Sequence, residues 1–119
     1  MNAISIALAA LSSASAITAT VNNRIYLNEI GQSEPMPQIT LNDVSDNPIN
    51  DLTAEATTKN ERIQVDVFSS KYSECADITT DIIAALETGG VSFVRLGTQK
   101  VKDLETQLYR FITDFSIWY

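Results

Sequence analysis

Histidine is absent from the 119 residues, and cysteine occurs once, at Cys75. Without histidine the commonest general base and metal ligand is missing. A single thiol excludes an internal disulfide, and no zinc constellation of the usual His and Cys ligands can form. Glycine (4) and proline (3) are scarce, so few breakers interrupt regular elements. Positive charge is the minority sign: 8 Lys and Arg against 15 Asp and Glu leave a formal −7 at pH 7. A field of that sign repels phosphate backbones and anionic headgroups, which argues against groove-type DNA binding and against a membrane-surface role.

Nor is there a long hydrophobic run. The opening MNAISIALAALSSASAITAT is interrupted by Ser5, Ser12, Ser13, Ser15 and Thr18, short of the roughly 20 apolar residues that cross a bilayer. Ala14-Ser15-Ala16 imitates a signal-peptidase site, but no Lys or Arg precedes the apolar stretch. The expectation is therefore an amphipathic helix rather than a leader.

What is present reads as one folded domain over residues 1–119, with 45% apolar residues. Ile4, Leu8, Leu11, Ser15 and Thr18, with Ala7 and Ala14 beside them, share the face of a first helix that ends near Val21-Asn22-Asn23. Arg24-Ile25-Tyr26-Leu27 is a short β-favouring run, and Gly31 to Pro37 is dense in turn formers. Gln38 to Val44 alternates until Asn42, as a half-buried strand does. Residues 46–60 are acidic and polar and predict a long loop, with Ile49 and Leu52 as its apolar anchors.

The clearest alternation is Arg62-Ile63-Gln64-Val65-Asp66-Val67-Phe68. Ser69 or Ser70 offers a cap for a second helix with the stripe Tyr72, Cys75, Ala76, Thr79, Ile82, Ile83 and Leu86, stopped by Gly89-Gly90. Strands follow at about Val91 to Leu96 and Leu108 to Trp118, and the polar segment between them can extend either one. The order predicts an α+β fold, a mostly antiparallel sheet of about five strands with two helices on one face.

No nucleophile or phosphate motif is present, so catalysis would fall to carboxylates, Lys71, Cys75, tyrosines or hydroxyls. Neither an enzyme nor a cofactor site is expected. Cys75 lies on the core stripe and reads as a small buried hydrophobe. Arg62 and Asp66, and likewise Arg110 and Asp114, alternate onto the polar faces of their strands. If those strands pair antiparallel, the charges meet across them, at a sheet surface or a subunit contact. The closing strand places Tyr109, Phe111, Phe115, Ile117 and Tyr119 on one face, with Leu108, Ile112 and Trp118 among the polar residues of the other.

The Arg62 to Phe68 strand, then Tyr72 and a helix, then a closing strand from Tyr109-Arg110 to Asp114-Phe115-Ser116-Ile117-Trp118-Tyr119, resembles the tail terminator (tail completion) proteins of long-tailed bacteriophages. The opening helix, Arg24-Ile25-Tyr26 and the Pro-rich approach to the second strand fit the same family, so the resemblance covers most of the chain. It implies a virion protein, assembled in the host cytoplasm, that forms a homohexameric ring at the head-proximal end of the tail. Its partners would be further copies, the major tail tube protein and a neck or head-completion protein, with DNA passing through the lumen without specific binding. Arg62, Asp66, Arg110, Asp114, Trp118, Ile49 and Leu52 are the candidate subunit or partner contacts. Alternatives are another head-tail connector or minor capsid component, a cellular module binding a peptide or small ligand, and a carboxylate hydrolase or transferase using Asp66 and Asp114.

Overall fold

A computed structural model describes residues 2–28, 35–47 and 59–119; for 45–47 only the backbone is considered. The elements in order are α1 (Ala3–Ser13), α2 (Ser15–Val21), β1 (Ile25–Leu27), β2 (Gln38–Asn47), β3 (Asn60–Ser69), α3 (Tyr72–Thr88), β4 (Ser92–Lys102) and β5 (Tyr109–Trp118). The five strands form one sheet in the order β1-β2-β3-β5-β4. The fold is α+β with a mostly antiparallel sheet, as the pattern predicts.

Alternation puts Ile39 and Leu41 of β2, Ile63, Val65 and Val67 of β3, and Phe111, Phe115 and Ile117 of β5 on one face, all buried. Against that face lie Ala3, Ile4, Ala7 and Leu11 of α1, Ile17 and Val21 of α2, and Cys75, Ile78, Ile82, Ala85 and Leu86 of α3. Phe111 and Phe115 are the largest side chains enclosed, each worth about 2–3 kcal/mol of burial. The last residue also belongs to the sheet region, since Tyr119 exchanges backbone hydrogen bonds with Lys59 in both directions, at 2.8 and 2.6 Å.

Five details differ from the pattern. The first helix is two helices, because Ala14 takes an extended conformation and α2 turns 85° from α1. Ser12, Ser13 and Ser15 flank that break, and serine competes for backbone bonds. The bend returns Ile17 and Val21 to the core, and they replace Ser15 and Thr18 as its inward residues. Among the described residues no single helix is long and apolar enough to cross a membrane.

Second, β1 runs parallel to β2, with Ile25 opposite Ile39 and Leu27 opposite Leu41, so the sheet has one parallel pair. Third, the expected loop 46–60 is shorter. Asp46 pairs with Glu61 and Asn47 with Asn60 in the β2–β3 ladder, which backbone groups sustain whatever the side chains. The pattern stops early because the register shifts between Asp43 and Ser45, leaving Val44 unpaired and 46% exposed. Ile49 and Leu52 lie outside the described residues.

Fourth, where the pattern leaves the polar segment after Leu96 to either neighbouring strand, it extends β4 as far as Lys102. Fifth, the residue capping α3 is Lys71, without a side-chain cap bond. Ser69 still organises the turn, accepting from the Lys71 backbone N–H at 3.1 Å and donating to Glu74 at 2.6 Å. Gly89-Gly90 ends α3 as expected. Gly90 has φ +70°, and a Cβ on Gly89 would lie 3.2 Å from the Cβ of Ala10, so α1 and α3 meet there through the absence of a side chain.

Candidate interaction surface

With the helices on one face, the other face of the sheet has no described element packed over it. By alternation it carries Gln64, Asp66 and Phe68 of β3, Arg110, Ile112, Asp114 and Trp118 of β5, and Val94 and Val101 of β4. Antiparallel pairing of β3 with β5 places Asp66 opposite Ile112 and Gln64 opposite Asp114, so charges two residues apart meet on the diagonal.

Two ion pairs result, of unequal worth. Arg110 donates to Oδ2 of Asp66 from Nη2 at 2.6 Å and from Nε at 3.2 Å, and Gln64 donates to Oδ1 at 3.0 Å. The Asp66 side chain is 2% exposed. The guanidinium also lies 5.4 Å from the ring centre of Phe68. Arg62 reaches Asp114 only at 3.8 Å, with both side chains more than a third exposed, a geometry worth well under about 1 kcal/mol.

All five described candidates, Arg62, Asp66, Arg110, Asp114 and Trp118, therefore share one face. Asp66 is enclosed and acts within its own chain. Arg62, Arg110, Asp114 and the half-buried Trp118 keep surface for a neighbour.

The outer margin carries groups that the sequence reading did not single out. Among the described strands β4 is an outer one paired only with β5, and Val94, Leu96 and Val101 on it are 44–50% exposed. Leu96 is unpaired because the register shifts between Arg95 and Gly97, and a bulge of this kind turns its side chain away from the ladder. On the flank nearer the helices, the Lys100 ammonium lies 5.3 Å from the Phe111 ring and 5.6 Å from that of Tyr72, and Lys102 lies 5.1 Å from Tyr109. The signal for this surface was available as a run, Ser92 to Lys102, holding three basic residues and no acidic one.

Little here favours chemistry. Burial, and then the neighbouring Glu74 carboxylate, push the Cys75 thiol up from the usual 9.0 to about 11, which keeps it protonated and unreactive at neutral pH. Among the described residues no three His, Cys, Asp or Glu are grouped to hold a metal ion. An open groove of about 340 Å³ between the α1–α2 elbow and α3 is lined half by alanines, with Ser13, Ser15, Thr88 and Asp81 among the rest.

The fold has known counterparts. The gp17 protein of bacteriophage SPP1 superposes with a TM-score of 0.62 at 19% identity, over 95% of this chain and 85% of that one. A chain from the virion of a native gene transfer agent particle gives 0.60 at 10% identity, over 98% and 97%. No curated protein matches by sequence. Residues 7–119 match the family model described as tail completion protein gp17. A match over nearly the whole chain makes this protein a member of the tail completion protein gp17 family, and hence a structural component of a phage tail.

Proposed function

We propose that the protein is a tail terminator: a homohexameric ring at the head-proximal end of the tail tube that stops tube growth and joins the tube to the neck. The observation carrying this reading is the exposed outer strand β4. A strand 11 residues long with a row of half-exposed aliphatic side chains is a liability in a monomer and a joint in an assembly. Family membership supplies the setting, and the sheet face over which no described element packs supplies a second surface, with Arg62, Arg110, Asp114 and Trp118 as contacts to a neighbouring subunit or to the tube.

The charge suits a passage for DNA. A subunit of formal charge −7 adds to a ring whose mean field repels phosphate, so a duplex passes the lumen without adhering. The test is growth of purified tail tubes with and without the protein. Addition during growth should cap one end and shorten the length distribution; lengths unchanged at saturating protein would overturn the reading.

A further inference from the structure

Taking that ring as given, we propose that copies join head to tail by seating β4 of one protomer against α3 of the next, Leu96 entering the groove beside the α1–α2 elbow. The two surfaces are complementary in charge and shape.

β4 carries Arg95, Lys100 and Lys102 and no acidic residue, whereas α3 carries Glu74, Asp77, Asp81 and Glu87 and no basic one. Three of the eight cations of the chain thus lie on one outer strand, and four acids lie on one helix. Glu87 adds to the mismatch, because it stands in the last turn, where the helix dipole is already negative, and that turn has no basic residue.

Arg95 to Lys102 covers about 23 Å of extended strand. With Arg95 at Asp81, the strand runs toward the amino end of α3, where Asp77 and Glu74 stand on the same side of the helix as Asp81, about 6 and 10 Å further along. Outward residues of α3 such as Ser73, Thr80 and Ala84 are small, so a strand can approach closely.

Shape supplies the anchor. The groove of about 340 Å³ is bounded by Ala10, Ala14, Ala16, Ala84 and Ala85, with Asp81 in its lining. It admits an aliphatic side chain and places a carboxylate next to it. Leu96, 50% exposed on its bulge and adjacent to Arg95, presents that pair of groups. Since strand and groove are different patches of one chain, each copy offers both halves, and a head-to-tail contact of this kind closes into a ring.

The experiment is the mass of the full-length protein, free and with tail tubes added, for the wild type, L96D, D81R, R95E/D81R, and an equimolar mixture of L96D with A84E. L96D and D81R should fall to the 13.1 kDa protomer with unchanged circular dichroism and melting. The charge-swapped R95E/D81R should regain the wild-type mass. The mixture should stop at a dimer, because each partner keeps only one competent surface. Wild-type mass in both L96D and D81R, or no dimer in the mixture, overturns this contact and leaves the ring standing. A wild type that stays at the protomer mass both free and on tubes contradicts the ring itself.

Discussion

Arg110 closes diagonally across the β3–β5 pairing onto Asp66, sending two hydrogen bonds to one oxygen of a carboxylate that is 2% exposed. Arg62 and Asp114 occupy a similar diagonal at 3.8 Å and stay wet. The two pairs look alike in sequence and differ in burial, and burial sets their energies.

Replacing Arg110 by Ala strands the Asp66 carboxylate with Gln64 as its remaining side-chain donor, and should cost about 3 kcal/mol. Arg62→Ala should cost less than about 1 kcal/mol. Urea denaturation of both variants checks the ordering; equal losses would refute the distinction. In a double-mutant cycle, Asp66→Ala combined with Arg110→Ala should cost clearly less than the sum of the singles.

The closing strand should behave as core. Phe115 is fully buried and meets Phe93 edge to face, ring centres 5.6 Å apart. Phe115→Ala is expected to lose about 3–5 kcal/mol. Removing residues 115–119 also takes away the Tyr119 pairing with Lys59, and that truncation should not fold. A cooperative thermal transition in the truncated chain would contradict the packing described.

Much of this was legible because a period of two survives wherever one face is buried. The Ile63, Val65, Val67 alternation and the aromatic closing strand lie where predicted, as does the α3 stripe except that Tyr72 is exposed and Ile78 is buried, and antiparallel pairing follows from their order. The losses have local causes. Bulges at Val44 and Leu96 shift the alternation by one residue, so the end of β2 reads as loop and the second half of β4 cannot be assigned to one strand. The break at Ala14 is made without proline; the serines around it are a weak local signal, and the bend returns Ile17 and Val21 to the core. Of the candidate contacts, Arg62, Asp66, Arg110, Asp114 and Trp118 come to one face because strand parity is readable, while Leu96 and its basic neighbours escaped because a bulge is not.

Cys75 gives a pH test with a defined sign. Its thiol ionises near the usual 9.0 when unfolded and near 11 when folded, chiefly through burial. Folding therefore favours the protonated form; the contribution is complete below pH 9 and is lost as pH rises towards 11. Stability should decline across that window, and Cys75→Ser should flatten this part of the profile. In the native wild type the thiol should resist a disulfide reagent at neutral pH and react fully in denaturant. Rapid native labelling would contradict its burial.

The most direct test of the central claim is electron microscopy of the full-length protein, alone and on tail tubes. The account predicts closed hexameric rings on one end of each tube, with β4 of each subunit seated against the next subunit. Isolated protomers in both preparations, or protein bound along the tube wall and absent from its end, would contradict it.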